Sequence, residues 1–107
     1  MGDAIRQLHV EIVAFVDDHF PGWVKCELRD VSGKVHSFID KFPVFSLEML
    51  DRESEYPRPG AIRCEIIDRL SDSDGRELVR VSTERPDYIE SVEGISEFVV
   101  LAAQLIG

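Results

Sequence analysis

Apolar and polar residues alternate along this chain with a period of two, and that rhythm constrains the fold more than any other feature. Val24, Cys26 and Leu28 interleave with Trp23, Lys25, Glu27 and Arg29; Ile62, Cys64 and Ile66 interleave with Arg63 and Glu65. Successive side chains of a strand point to opposite faces, so each run describes a strand with one face in a core and one in water. Val35 to Lys41 and Leu78 to Thr83 are shorter β-branched or aromatic runs and predict two more strands. Asp30-Val31-Ser32-Gly33-Lys34 and Asp72-Ser73-Asp74-Gly75-Arg76 separate the members of each pair. Glycine takes a left-handed backbone at little cost, so both segments are expected to close antiparallel hairpins.

The two ends of the chain fit helix or strand. Ile5, Leu8, Ile12 and Val16 would line one side of a helix, yet Leu8, Val10, Ile12, Ala14 and Val16 also alternate. The β-branched Val10, Ile12, Val13 and Val16 favour a strand from about Leu8, and Asp17-Asp18 would oppose a helix dipole at its C-terminal end. Glu97 to Leu101 is read as a last strand, with a short turn of helix after it. Ser46 to Arg52 is expected to be a brief helix with a serine N-cap. Pro21-Gly22 and the run Tyr56-Pro57-Arg58-Pro59-Gly60 are expected to break the chain ahead of a strand, since proline lacks a donor.

The chain also resembles itself. Residues 21–30 and 59–68 are identical at five of ten positions, and three more exchange like for like. Each copy runs into one of the glycine turns, which suggests two related hairpins sending Cys26 and Cys64 to the same face. At 107 residues and 44% hydrophobic, the chain fits one domain, 1–107, with enough apolar content for a core. The expected architecture is mainly β: a small antiparallel barrel or sandwich of about six strands with an internal hairpin repeat and one short helix.

Candidate chemistry is sparse. Cys26 and Cys64 lie 38 residues apart, which matches no redox or zinc spacing, and their parity places both thiols in the core. His9, His19 and His36 show no short ligand spacing; His9 falls on a polar strand face, and His9 and His36 could approach each other across a sheet. Asp72-Ser73-Asp74-Gly75 lacks the distal bidentate glutamate of a calcium loop and reads as a hairpin tip. No nucleophile elbow or glycine-rich phosphate loop is present. These absences predict no cofactor and no metal.

Pro21-Gly22-Trp23-Val24 and Glu84-Arg85-Pro86 resemble segments of small bacterial proteins with no assigned activity. That resemblance implies no catalytic residue.

Charge then narrows the partners. The formal charge is −9, from 21 acids against 12 bases, and an acidic body is repelled by nucleic-acid backbones and anionic membrane surfaces. No apolar run is long enough to span a bilayer and no secretory signal is visible at the start, so a cytoplasmic setting is expected. Residues 1–46 hold seven acids and five bases, whereas residues 47–107 hold fourteen acids and seven bases. The excess concentrates in two stretches that also carry hydrophobes expected to be exposed: Met49, Leu50 and Tyr56 in one, Tyr88 and Ile89 in the other. Aromatic anchors ringed by carboxylates suit a protein partner with a basic face. The binding candidates are Trp23, Glu48, Asp51, Glu53, Glu55, Tyr56, Asp87, Tyr88, Glu90 and Glu93.

The expected function is therefore a non-catalytic acidic protein-binding domain. One concrete form is an immunity or antitoxin-like inhibitor whose acidic loops occlude the basic site of a toxin. The alternative is a small enzyme or small-ligand-binding β-barrel with His36, His9 or nearby carboxylates at its mouth. A single-stranded nucleic-acid binder on a similar barrel has the wrong charge. Open strand edges also permit a homodimer.

Overall fold

Among the described residues, seven strands and two single 3₁₀ turns make up the fold: β1 (Arg6–Asp17), β2 (Trp23–Arg29), β3 (Val35–Lys41), β4 (Arg58–Ser71), β5 (Glu77–Ser82), β6 (Glu97–Leu101) and β7 (Leu105–Ile106), with the turns at Phe42–Val44 and Ala102–Gln104. The computed structural model describes residues 5–106, so residues 1–4 and 107 of the expected domain lie outside it. The strands form an antiparallel sheet ordered β3-β2-β1-β4-β5-β6, curled into a half-barrel. Its long axis, 43 Å, follows from β4, whose 14 residues would span about 46 Å at roughly 3.3 Å each.

The two hairpins sit on either side of β1. The first half of β1 pairs with β4, from Arg6 opposite Cys64 to Ile12 opposite Arg58. Its second half pairs with β2, from Glu11 opposite Glu27 to Asp17 opposite Trp23. β7 returns to β1 at Gln7 and Leu8, on the edge that β4 leaves free. The concave side collects one parity from each strand: Leu8, Val10 and Ile12, then Val24, Cys26 and Leu28, Phe38, Ile62 and Cys64, and Phe98 and Val100, all buried. β5 departs from alternation, with Leu78, Val79, Val81 and Ser82 all buried, because it lies covered on both faces.

The hairpin tips are chemically equivalent. In one, Gly33 (φ +90) donates its N–H to Asp30 O at 3.0 Å, and Asp30 Oδ1 accepts from the N–H groups of Ser32 and Lys34. In the other, Gly75 (φ +80) donates to Asp72 O at 3.0 Å, and Asp72 Oδ1 accepts from Asp74 and Arg76.

The Pro-Gly halves of the repeat do not match in the same way. Pro21-Gly22 precedes β2, and Gly22 takes φ +118. Pro59-Gly60 instead lies inside β4, opposite Glu11 and Val10, which corrects the expected break. Ala61 donates its N–H to Phe45 O, away from β1, so Pro59, two residues earlier, faces the same way and its missing donor costs the β1 ladder nothing.

The helix expected over Ser46 to Arg52 is absent. Pro43 sets a single 3₁₀ turn three residues earlier, and Ser46 Oγ accepts the Glu48 N–H at 3.0 Å in a local turn rather than capping a helix. Leu50 and Ile89, expected to be exposed, are buried, because each anchors its irregular loop to the core. Among the described residues no helix is long and apolar enough to cross a membrane.

Candidate functional site

A groove of about 750 Å³ lies between the segment Asp40–Leu47 that follows β3, Ala61 and Arg63 of β4 with Gln7 of β1, and Asp87 and Ile89. One wall is the turn that follows β3. Phe42 and Phe45 are both buried, and the N–H groups of Phe45 and Ser46 close onto Phe42 O at 2.9 and 3.0 Å. Phe45 O in turn accepts the Ala61 N–H at 2.9 Å, tying the turn to β4. This arrangement leaves Leu47 wholly in solvent at the groove's lip, with a relative exposure of 106%.

The opposite wall belongs to the connection between β5 and β6. Thr83, fully buried, donates its hydroxyl to Ile89 O at 2.6 Å, and the Ile89 N–H returns to Thr83 O at 2.9 Å. Ile89 is thereby pinned in the core, and the chain must turn sharply just before it. Tyr88 makes that turn at φ 56, a left-handed conformation unfavourable for a bulky residue, and projects outward at 78% exposure. Next to it Asp87 accepts two hydrogen bonds from Arg63 of β4, from Nε at 3.0 Å and from Nη2 at 2.6 Å. This bidentate pair fixes the second wall to the strand, and Asp87 holds the Arg63 guanidinium above its ordinary pKa.

Val44, Phe45 and Ile89 line the groove beside Ala61, and its charged lining consists of Asp40, Lys41, Arg63 and Asp87. Arg63 and Asp87 satisfy each other, Asp40 Oδ1 accepts the Lys41 N–H at 2.7 Å, and Lys41 Nζ lies 5.8 Å from the Trp23 ring centroid. The groove thus combines an apolar floor with one charge pair closed on itself, while Asp40 and Lys41 have no ion-pair partner among the described residues.

Of the candidates from the sequence, Asp87 lines this groove and Tyr88 stands beside it. Trp23 lies half-buried beneath Lys41, and Glu48 follows Leu47 and pairs with Arg58 at 2.6 Å. Asp51, Glu53, Glu55 and Tyr56 belong to a self-bonded loop, in which Asp51 Oδ1 accepts the Glu53 N–H and the Tyr56 hydroxyl donates to Asp51 O at 2.7 Å. Glu93 is taken by Lys34 at 3.1 Å, while Glu53, Glu55 and Glu90 have no ion-pair partner among the described residues. Sequence reasoning missed Leu47, Lys41 and Arg63. Arg63 was legible only as a polar strand position, and Leu47 only as one apolar residue after Val44-Phe45-Ser46.

The remaining titratable groups serve the core. Burial pushes the Cys64 thiol up to about 11, against a smaller opposing effect of Arg6. Burial, helped by the Asp40 charge, pushes Cys26 higher still. His36, buried, meets Asp30 Oδ2 through Nε2 at 2.7 Å and the Phe98 ring at 4.8 Å between centroids. Burial alone would raise the Asp30 carboxyl, but hydrogen bonds from Ser32, His36 and the Lys34 backbone outweigh it and hold the pKa at about 2. His9 is exposed opposite Ala61, whereas His36 pairs with Leu28, so the sheet does not bring the two histidines together. No group of three or more His, Cys, Asp or Glu side chains converges on a metal-sized site among the described residues. No family model, curated protein or solved structure matches the chain.

Proposed function

We propose that this domain binds another protein through the groove between the Pro43–Leu47 turn and the Asp87–Ile89 segment, without catalysis of its own. The observation that carries the reading is the pair of lips. Leu47 and Tyr88 are held in solvent on walls that are otherwise tightly anchored, and Tyr88 is kept there against its backbone preference. A fold that spends conformational strain to display a hydrophobe favours a contact role for it.

The partner has a basic face. Glu90 and the exposed Glu84 lie on the same connection as Tyr88, and the net charge of −9 speeds encounter with a cation-rich surface. An immunity or antitoxin-like inhibitor of a basic toxin is the concrete form of this reading. The small-enzyme alternative gains nothing from the groove, whose facing acid and base, Asp87 and Arg63, are paired with each other.

The test is affinity purification from source cells with the intact domain and with a Leu47→Ser/Tyr88→Ala variant. A stoichiometric basic partner retained by the first and lost by the second supports the proposal. Absence of such a partner, or equal retention by both, rejects it.

A further inference from the structure

We propose that the partner enters this groove as an extended segment and adds a strand to β4 at Arg63. The inference rests on the protein-binding reading above and specifies its mode.

In an antiparallel ladder alternate residues turn both N–H and C=O toward the same neighbour. Ala61 donates away from β1, to Phe45 O, so Arg63 also faces away from β1 and into the groove. On that edge the ladder resumes only at Glu65, opposite Ser82 of β5. Arg63 therefore stands in a gap, its N–H and C=O without a backbone partner among the described residues. The facing rim is similar. Ser37 O of β3 accepts the Val92 N–H at 2.8 Å, so Ile39, of the same parity, also turns its backbone outward, and Asp40 and Lys41 beside it line the groove. The groove therefore lies between the open residue of β4 and the segment Asp40–Leu47. An unmet backbone donor and acceptor above an apolar floor are complementary to a strand, whereas a helix satisfies its own backbone and would leave them unmet.

The groove also selects composition. A strand alternates its side chains, so one apolar residue would descend toward Val44 and Phe45 while its neighbours stay at the lips beside Leu47 and Tyr88. Arg63 and Asp87 neutralise each other, and Asp40, Glu84 and Glu90 outnumber Lys41 and Arg85, unpaired among the described residues, so the rim keeps a small acidic excess on a body carrying −9. The occupant is an extended peptide with an apolar residue flanked by Lys or Arg.

The test selects binders to the whole domain from a random decapeptide library displayed on phage. The best peptide is then synthesised with each backbone amide N-methylated in turn. Pairing with a single open residue predicts that methylation of one amide, the one donating to the Arg63 carbonyl, weakens binding by at least about tenfold, while its two neighbours change it by less than about twofold. It also predicts that hydrogen exchange of the Arg63 amide slows by at least about tenfold in the complex. The selected sequences should carry basic residues beside an apolar one.

Binding that needs Leu47 and Tyr88 but shows no single methylation-sensitive amide and no Arg63 protection would overturn strand addition and leave the protein-binding reading intact. Failure to select any peptide that competes at the groove would also overturn it, the broader reading then resting on the affinity purification. Concentration-dependent dimerisation that protects the Arg63 amide without peptide would make a second copy of this chain the occupant, and would reject the partner segment proposed here.

Discussion

Tyr88 shows how one residue can carry opposite demands. Its φ of 56 costs on the order of 1 kcal/mol for a residue with a Cβ, and its ring, mostly in solvent, recovers little of that by packing. Tyr88→Gly should therefore stabilise the free domain by about 0.5–1 kcal/mol in urea titrations while weakening partner binding. A variant that binds normally would remove Tyr88 from the contact. Asp30 makes a different bargain, because its carboxylate serves a turn and a buried histidine together. Its pKa falls from an ordinary 3.8 to about 2 on folding, so the unfolded state binds the proton more tightly. The stabilisation is therefore full above about pH 4 and lost as pH falls toward 2. Asn at this position keeps a side-chain oxygen for the Ser32 and Lys34 N–H groups but carries no charge. Asp30→Asn should be less stable than the native chain at pH 6, and the gap should close as pH approaches 2. A gap independent of pH in denaturant titrations would assign the Asp30 contribution to geometry alone.

At the scale of elements, the shorter strands show why alternation was readable and where it stops being so. β2, β3 and β6 follow the apolar rhythm of the sequence because each keeps one face in the core and one outside. β5 breaks it, being covered on both faces, and the 46–52 segment was misread as helical because Pro43, not Ser46, decides the turn. The groove was illegible for a related reason: its residues come from four separate segments, and no local pattern encodes their meeting. Gly60 illustrates a role hidden in the same way. It reads as a turn glycine beside Pro59, yet it sits in mid-strand because a Cβ there would lie 2.8 Å from Ile12 Cγ1 and 3.2 Å from Phe45 O. Gly60→Ala should cost about 1–3 kcal/mol by overpacking. Because Ile12 supplies the nearest atoms, the same change should cost measurably less in an Ile12→Ala background, a coupling that a double-mutant cycle in urea would read. Equal costs in both backgrounds would shift the constraint to the Phe45 carbonyl.

Across the whole molecule the acidic excess divides into two populations that salt should separate. Some carboxylates are held in short pairs, Asp87 with Arg63, Glu48 with Arg58 and Asp72 with Arg76, each with a 2.6 Å contact. Close, hydrogen-bonded pairs resist screening better than charges spread over a surface. Others, including Glu53, Glu55 and Glu90, are exposed without an ion-pair partner and contribute chiefly to the long-range field of a body carrying −9. That field opposes compaction, because like charges repel, and it favours encounter with a cationic partner. Salt at about 0.5 M shortens the screening length to a few ångströms and removes both effects. The thermal midpoint of the free domain should therefore rise by about 2–4 °C between low salt and 0.5 M, roughly 0.5 kcal/mol for a chain of this size. Over the same range the association rate with the partner should fall by at least tenfold while dissociation changes little. Calorimetry and stopped-flow mixing in the same buffers measure the two quantities. A midpoint that falls with salt would mean that the ion pairs outweigh the repulsion, and the acidic surface would then be a device of folding before it is one of recognition.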